Sequence, residues 1–589
     1  MGKQNKHIVL RIVLGVLLLI IVGVAGFSIW VAQHYKAVIM ERLPGWVATT
    51  TDSSYYISVE DISINIITRR VTAYNVKIWP DTNQIKRLKE RGKLITTTFN
   101  VIIPEVQVSG ILWENVVSDQ ELDCKRLAII QPIINIFATP KVADSLKRDL
   151  ADTSKKAPFI QRIYADYIEV EHPKITYRFT SDTDSFYYKI QDGDILLNDW
   201  EIVHGAHKDT NRFFHAKSAI ITLDSFTYVK PNGIYYMKSS SLKFITDENN
   251  LWLENLKIGL SITKDEFYKR MGQQKEIYDL DFPSIHFGNF DWKRLINKKE
   301  LVSSSVSIDT PSLDIFFSRL LPPNKKSKVG KYPHQLLQKL KMKVAIDTVK
   351  ITAGHFKYTE VNEKTRRSGV LLFDNIHGTI NNVTNMPELI AQNANCILRL
   401  NGVFMNRSDM GATFNLLLSD TTGGFSIDAY LKNLSADQIT NQAKALALAE
   451  ITSFNLKRMD MHIEGNQSYA KGHFTLLYDN LKIQLQKLDS DRNMNRRPFL
   501  SFIANKVLLY PSNPMPNEPA RSVDTYVPRD KLKSFFNQIW KNIYQAAQKT
   551  ALRNEKIVDL LKKKGADKKR KKRGGLKAFF NNINKNKKK

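Results

Sequence analysis

The chain has 589 residues, of which 43% are hydrophobic and 25% are charged. This ordinary globular composition excludes a mostly disordered chain and a polytopic membrane protein. Two cysteines, Cys124 and Cys396, exclude a disulfide scaffold and any multi-cysteine zinc or iron–sulfur site. They leave open a single disulfide or two separate buried thiols.

The positive charge is concentrated at the C-terminus. The whole chain has a net charge of +29, and residues 529–589 carry 21 Lys/Arg against 4 Asp/Glu, a net of +17 that leaves +12 for residues 1–528. The body is therefore mildly basic, and it is followed by a polycationic tail.

The stretch Ile12–Ala32 contains no charged residue and is long enough to cross a bilayer. Lys3, Lys6 and Arg11 precede it, so the N-terminus is expected in the cytoplasm and the rest of the chain on the other side. A cleaved signal peptide is the alternative. The residues predicted to span the membrane include Ile12, Leu17, Ile20, Val24 and Trp30.

Apolar residues alternate with polar ones from Tyr55 to about Tyr510, which predicts short antiparallel strands. The phase of the alternation shifts after Glu60-Asp61, which predicts a bulge or bend. The expected fold is mainly β: an elongated, repetitive antiparallel sheet forming a curved groove, with short helical inserts near Asn83–Arg91, Lys141–Asp152 and His334–Met342. The residues predicted to line the groove are Ile57, Val59, Ile62, Ile64 and Ile66.

The sequence also repeats itself. Val106–Phe137 aligns without gaps on Ile285–Phe316, and the tetrapeptide at Asn75 matches those at Asn255 and Asn480. Repeats that each add strands build a body in which every unit buries its apolar face against the next. The predicted division is a basic segment (1–11), an anchor (12–32), three β-repeats (33–150, 151–333, 334–512), a linker with an amphipathic helix (513–561) and a polybasic tail (562–589).

Five segments resemble AsmA-like proteins: Tyr55–Trp79, Val101–Phe137, His377–Asn385, Leu398–Thr440 and Gly472–Leu485. The first two are similar to the N-terminal portion of that family and the others to its C-terminal β-repeat. The resemblance implies a β-groove anchored in a Gram-negative inner membrane, with its body in the periplasm. It also implies a role in phospholipid movement or envelope homeostasis, including outer-membrane biogenesis.

Two other interpretations remain open at this stage: an envelope scaffold, and an anchored enzyme acting on envelope glycans, for which no acid–base pair can be named. Alternating strands also form closed sandwiches, so the chain is alternatively a non-catalytic envelope scaffold whose basic tail binds a partner. The sequence contains no HExxH, GxSxG or phosphate-binding glycine loop, and we predict neither an enzyme, a cofactor, a metal site nor nucleic-acid binding. Structural roles, solvent-facing or hydrogen-bonded, are expected for the strand histidines His172, His286, His355, His462 and His473.

The C-terminal segment has two predicted parts. Apolar residues at helical spacing predict a helix that either caps the sheet or lies on a membrane or partner. These residues are Leu532, Phe535, Phe536, Ile539, Ile543, Ala546 and Ala547. The following tail is expected to be disordered and to bind anionic membrane surfaces. The residues predicted to make that contact are Lys562, Lys563, Lys564, Lys568, Lys569, Arg570, Lys571, Lys572 and Arg573.

Overall fold

A computed structural model describes residues 35–65, 68–92, 95–112, 115, 121–139, 162–181, 185–203, 209–229, 233–489, 491 and 493–553. The strands are β1 (Tyr55–Ser58), β2 (Asp61–Asn65), β3 (Arg70–Pro80), β4 (Thr97–Ser109), β5 (Glu121–Ile130), β6 (Ile133–Ala138), β7 (Arg162–Glu171), β8 (Lys174–Thr180), β9 (Ser185–Ile190), β10 (Gly193–Val203), β11 (Ala216–Leu223), β12 (Phe226–Val229), β13 (Tyr235–Ser239), β14 (Ser241–Ile245), β15 (Asn250–Leu260), β16 (Glu276–Gly288), β17 (Glu300–Asp309), β18 (Ser312–Ser318), β19 (Lys343–Val361), β20 (Ser368–Thr384), β21 (Asn395–Phe404), β22 (Ser408–Leu417), β23 (Phe425–Ser435), β24 (Ala449–Gly465), β25 (Tyr469–Leu488), β26 (Met494–Arg496) and β27 (Ser522–Pro528).

Short helices connect several of these strands. They are α1 (Tyr35–Thr50), α2 (Thr82–Glu90), α3 (Lys264–Met271), α4 (Trp292–Lys298), α5 (Pro333–Gln338), α6 (Pro387–Gln392), α7 (Ala436–Ala447), α8 (Pro498–Ile503) and α9 (Phe535–Ala551). The helical inserts predicted near Asn83–Arg91 and His334–Met342 are confirmed as α2 and α5, and the insert predicted at Lys141–Asp152 lies outside the described residues. Asp81 sets the start of α2, because its carboxylate accepts a hydrogen bond from the Gln84 N–H at 2.9 Å.

The strands form one large mixed sheet, which confirms a mainly β fold and corrects the expectation of a purely antiparallel one. Most neighbours are antiparallel, but β5 pairs with β7, β6 with β8, and both β17 and β18 with β19 in parallel. The connections before β7 and β19 each exceed twenty residues. Crossovers of a dozen or more residues allow parallel pairing, and apolar alternation along a strand contains no information about its direction.

The pairing order repeats along the chain. Strands β1 to β6 recur as β13 to β18, with β15 starting 180 residues after β3 and β16 starting 179 residues after β4. The parallel pair Glu121–Arg162 of β5 and β7 recurs as Glu300–Lys343 of β17 and β19. These pairings support the alignment of Val106–Phe137 on Ile285–Phe316. Strands β17 and β18, which precede the predicted boundary between residues 333 and 334, pair with β19, which follows it, and the predicted domain limits remain a prediction.

Matching irregularities occur at equivalent places in β3 and β15, where an asparagine lies opposite a proline and neither residue is paired, while the register stays the same on both sides. Asn75 in β3 and Asn255 in β15 have φ of 48° and 50°, and each is left out of an otherwise continuous register. An asparagine tolerates this left-handed conformation better than most residues. Asn480 in β25 also has a positive φ, of 57°, and is also left out of the register, although β25 has a different place in the pairing order. The break predicted at Glu60-Asp61 is confirmed as the gap between β1 and β2.

Both cysteines are free and buried, which settles the open alternative in favour of two separate thiols. Burial raises the pKa of Cys124 to about 12 and that of Cys396 to about 11. Both groups therefore stay protonated near neutral pH and pack as small apolar side chains.

Within the described part of the chain, we find no helix that combines the length and apolarity needed to span a membrane. The predicted span at Ile12–Ala32 lies outside the described residues.

Candidate functional site

A continuous row of apolar side chains crosses the sheet from β4 to β21. Each member pairs directly with the next across neighbouring strands, and directly paired residues project from the same face. The members of this apolar row are Phe99, Ile136, Tyr177, Tyr188, Tyr228, Met237, Ile258, Leu280, Leu313, Phe356, Phe373 and Phe404. At about 4.8 Å per strand the row follows a contour of about 50 Å.

The residues next to the apolar row form a polar row on the opposite face. They also pair strand by strand, and Lys257 Nζ lies 2.7 Å from Asp281 Oδ2. The polar row consists of Asn100, Asn135, Thr176, Lys189, Thr227, Lys238, Lys257, Asp281, Ser312 and His355. From β4 to β19 the sheet therefore carries an apolar row on one face and a polar row on the other, as the alternation predicts.

The apolar row is buried at both ends and half-buried between them. Phe99 and Phe404 belong to core clusters, whereas every member from Ile136 to Phe373 keeps part of its surface accessible. A closed sandwich would bury these middle residues under a second layer. Their partial exposure shows that no second sheet covers them within the described part of the chain, and we use the name trough for the stretch Ile136–Phe373.

Aromatic rings dominate the first part of the trough. The rings of Tyr188 and Tyr228 stack at a centroid distance of 4.8 Å, and those of Phe179 and Phe186 stack at 4.9 Å. Burial raises the pKa of both Tyr177 and Tyr188, because the apolar surroundings disfavour a phenolate. The hydroxyls of Tyr177 and Tyr188 therefore stay neutral, and this surface presents a broad aromatic floor without formal charge.

Four of the five groove-lining residues predicted from sequence lie on the apolar face, at its buried end. Ile57, Val59 and Ile62 are buried in a core cluster that Leu43 and Val47 of α1 complete. Ile64 packs against the same cluster, and Ile66 lies outside the described residues. Lipid contact by Ile57, Val59, Ile62, Ile64 and Ile66 therefore stays a prediction.

The other predicted contact residues fall outside the described part of the chain. This applies to the spanning residues Ile12, Leu17, Ile20, Val24 and Trp30, and to the basic residues from Lys562 to Arg573. The trough residues from Tyr177 to Phe356 were not predicted, because their partners come from strands that are distant in sequence. The signal that was available is the aromatic alternation at Tyr177, Phe179, Phe186 and Tyr188.

Each of the five strand histidines named from the sequence has a hydrogen-bonding partner, and their purely structural role stays a prediction. The partners are Asp192 for His172, Asn250 for His286, Asp374 for His355, Asp428 for His462 and Asp524 for His473. The residues described by the structure include no group of three or more His, Cys, Asp or Glu side chains placed to hold a metal ion.

A shallow concavity of about 550 Å³ lies around strands β21 to β25. Its lining includes Arg399, Tyr430 and the paired histidines His462 and His473. His462 Nδ1 lies 2.7 Å from Asp428 Oδ1, and its Nε2 lies 3.2 Å from Glu464 Oε1. The Asp428 hydrogen bond, followed by Glu464, raises the pKa of His462.

We expect Asp428→Asn to lower the pKa of His462, because the substitution removes the carboxylate that favours the imidazolium. The raised pKa means that this pair adds stability below the unfolded-state pKa and loses it as pH rises through the folded-state pKa. Histidine-selective NMR titration of wild type and variant measures the change, and His172, which is paired with Asp192, is the internal control. An unchanged His462 titration would show that Asp428 does not hold the proton.

No protein-family model and no curated protein matches the chain.

Proposed function

We propose that this protein binds phospholipid, with acyl chains lying along the trough and headgroups remaining in water. Two rows of paired residues support the proposal most directly. A half-buried apolar row runs from strand to strand on one face of the sheet, and a polar row runs on the opposite face. A sheet with these two faces shields hydrocarbon on one side and stays soluble on the other.

Size and energetics are consistent with such a ligand. The hydrocarbon core of a bilayer is about 30 Å thick, so an acyl chain reaches about 15 Å, and the apolar row is several times longer. Each buried methylene contributes about 0.8 kcal/mol, so a chain that leaves a bilayer for the trough keeps most of its favourable burial. The uncharged aromatic floor near Tyr188 adds contact area without a desolvation penalty for formal charges.

The wider proposal follows the AsmA-like resemblance. We infer a non-catalytic protein that is anchored in a bacterial inner membrane by Ile12–Ala32 and has its body in the periplasm. It binds or transfers phospholipid for envelope and outer-membrane homeostasis, and its basic tail contacts an anionic membrane surface.

Site-specific photo-crosslinking at Leu313 tests the proposal. Leu313 belongs to the apolar row, and its chain neighbour Ser312 belongs to the polar row of the same strand. We expect a photoreactive residue at 313 in the full chain to capture phospholipid in cells, whereas the same residue at 312 captures little. Mass spectrometry of the adducts identifies the lipid.

Equal capture at both positions, or capture at neither in a folded protein, would contradict the trough. The second outcome would favour the alternative, an envelope scaffold whose apolar face is closed in the cell.

A further inference from the structure

The C-terminal helix α9 has an unusual distribution of polar and apolar residues. Its sheet-facing side contains Phe535 and Ile539 but also three buried polar residues, Gln538, Asn542 and Thr550. The Asn542 amide oxygen accepts a hydrogen bond from the Thr525 hydroxyl at 2.8 Å, and the Tyr332 hydroxyl donates to Gln538. The buried Asn542 and Gln538 side chains therefore each have a specific hydrogen-bond partner.

The outward side of α9 is aromatic. Phe536, Trp540 and Tyr544 follow one another at four-residue spacing, with 56%, 48% and 51% of their surface exposed. Residues four apart lie on one face of a helix, so these three rings form a continuous stripe, here called the aromatic stripe. Trp and Tyr have an apolar body with a polar tip, a combination that suits the boundary between lipid and water.

A second exposed apolar segment lies close to this helix in the fold. Helix α8 exposes Phe499, Leu500 and Phe502, with Phe499 exposed by 74%. The Arg553 N–H donates to Leu508 O at 2.9 Å, which ties the end of α9 to the segment that follows α8. The segment after α8 therefore adjoins the C-terminal end of α9, and both helices expose apolar side chains of the kind found at interaction surfaces.

The charge around these helices is positive. The exposed residues flanking α8 include Arg496, Arg497 and Lys506, and Lys533 precedes α9. Residues 554–589, which continue directly from α9, contain 15 Lys/Arg and 3 Asp/Glu. Basic residues beside an aromatic stripe complement a surface that is anionic outside and apolar beneath.

We propose that the aromatic stripe of α9 inserts into the interface of an anionic phospholipid bilayer, assisted by the apolar residues of α8. This membrane contact is separate from lipid binding in the trough, because the aromatic stripe points away from the sheet. It also differs from binding by the tail alone, because it uses folded elements and apolar contact in addition to charge.

Vesicle flotation with the full chain tests the proposal. The protein is held in nanodiscs of phosphatidylcholine and mixed with vesicles of phosphatidylglycerol and phosphatidylcholine, or of phosphatidylcholine alone. We expect binding to the anionic vesicles, and a loss of at least about tenfold in the variant Phe536→Ser/Trp540→Ser/Tyr544→Ser.

The matched control removes three equally exposed leucines elsewhere, Leu320→Ser/Leu336→Ser/Leu340→Ser, whose exposed fractions are 49%, 49% and 51%. We expect this control to bind anionic vesicles like the wild type. Replacing Lys568–Arg573 by Gln measures the tail separately, and it is expected to remove the salt-sensitive part of binding.

A second measurement is independent of whether the triple variant folds. Vesicles of brominated phosphatidylglycerol quench tryptophans that insert among their acyl chains, and the single substitution Trp540→Phe should abolish most of that quenching. Two results would overturn the proposal: quenching that persists in Trp540→Phe, or a wild-type protein that does not bind the anionic vesicles. The latter result would leave a protein partner as the occupant of this surface.

Discussion

Substitution of Tyr188 and Tyr228 by aspartate should greatly reduce the amount of phospholipid bound to the protein. The two side chains pair directly across β9 and β12 in the aromatic part of the trough. Each unpaired carboxylate facing acyl chains costs at least about 2 kcal/mol, so we expect lipid occupancy to fall by at least about a hundredfold. Mass spectrometry of lipid that co-purifies with the full chain, normalised to protein, measures the loss.

The same two strands supply a matched control. Tyr187 and Val229 also pair directly, one residue away and therefore on the opposite face. The control Tyr187→Asp/Val229→Asp introduces the same repulsion between facing carboxylates, so both variants carry a similar penalty in sheet stability. Lipid loss that is equal in the two variants would show that general destabilisation, rather than trough polarity, causes the effect.

The sequence alone predicted that the sheet has an apolar and a polar face, but it did not predict which strands are neighbours. Alternation of apolar and polar residues correctly predicted two unlike faces, and the 179-residue offset matched β4 with β16. Alternation within a strand is local, however, whereas the apolar row depends on which strands pair and in what register. Tyr228 and Met237, for example, become neighbours because β12 and β13 form an antiparallel pair. The parallel pairing of β5 with β7 was missed for the same reason.

Helix α9 shows a second limit of the sequence pattern. The helix predicted from the spacing of apolar residues is present. Phe535, Ile539 and Ala546 are buried, as expected for a helix that caps the sheet. The prediction placed Leu532 and Phe536 on the same apolar face, but both are exposed. The helix has apolar residues on two sides, and hydrophobic periodicity alone does not decide which one faces the sheet. In the observed orientation Asn542 and Gln538 are buried and have hydrogen-bond partners in Thr525 and Tyr332, which favours this side as the docking face.

The docking of α9 depends on Tyr332, which lies just before α5 and far from α9 in sequence. Tyr332 is fully buried, and its ring packs against Phe425 and Phe535 at centroid distances of 5.9 and 4.9 Å. Its hydroxyl donates to Gln538 and lies 3.0 Å from the carbonyl oxygen of Asn466. One side chain thus joins the crossover before β19, the β24–β25 turn and the C-terminal helix.

We expect Tyr332→Ala to lower the free energy of unfolding by about 3–5 kcal/mol, because it opens a cavity and leaves the Gln538 amide oxygen without its donor. Tyr332→Phe should cost about 1–2 kcal/mol, since it keeps the packing and loses the hydrogen bonds. Tyr544→Ala, on the exposed side of α9, should change stability by less than about 0.5 kcal/mol. Urea denaturation followed by tryptophan fluorescence measures all three variants. If Tyr332→Ala were as stable as Tyr544→Ala, the buried polar side of α9 would not be its docking face, and the outward direction of the aromatic stripe would lose its structural basis.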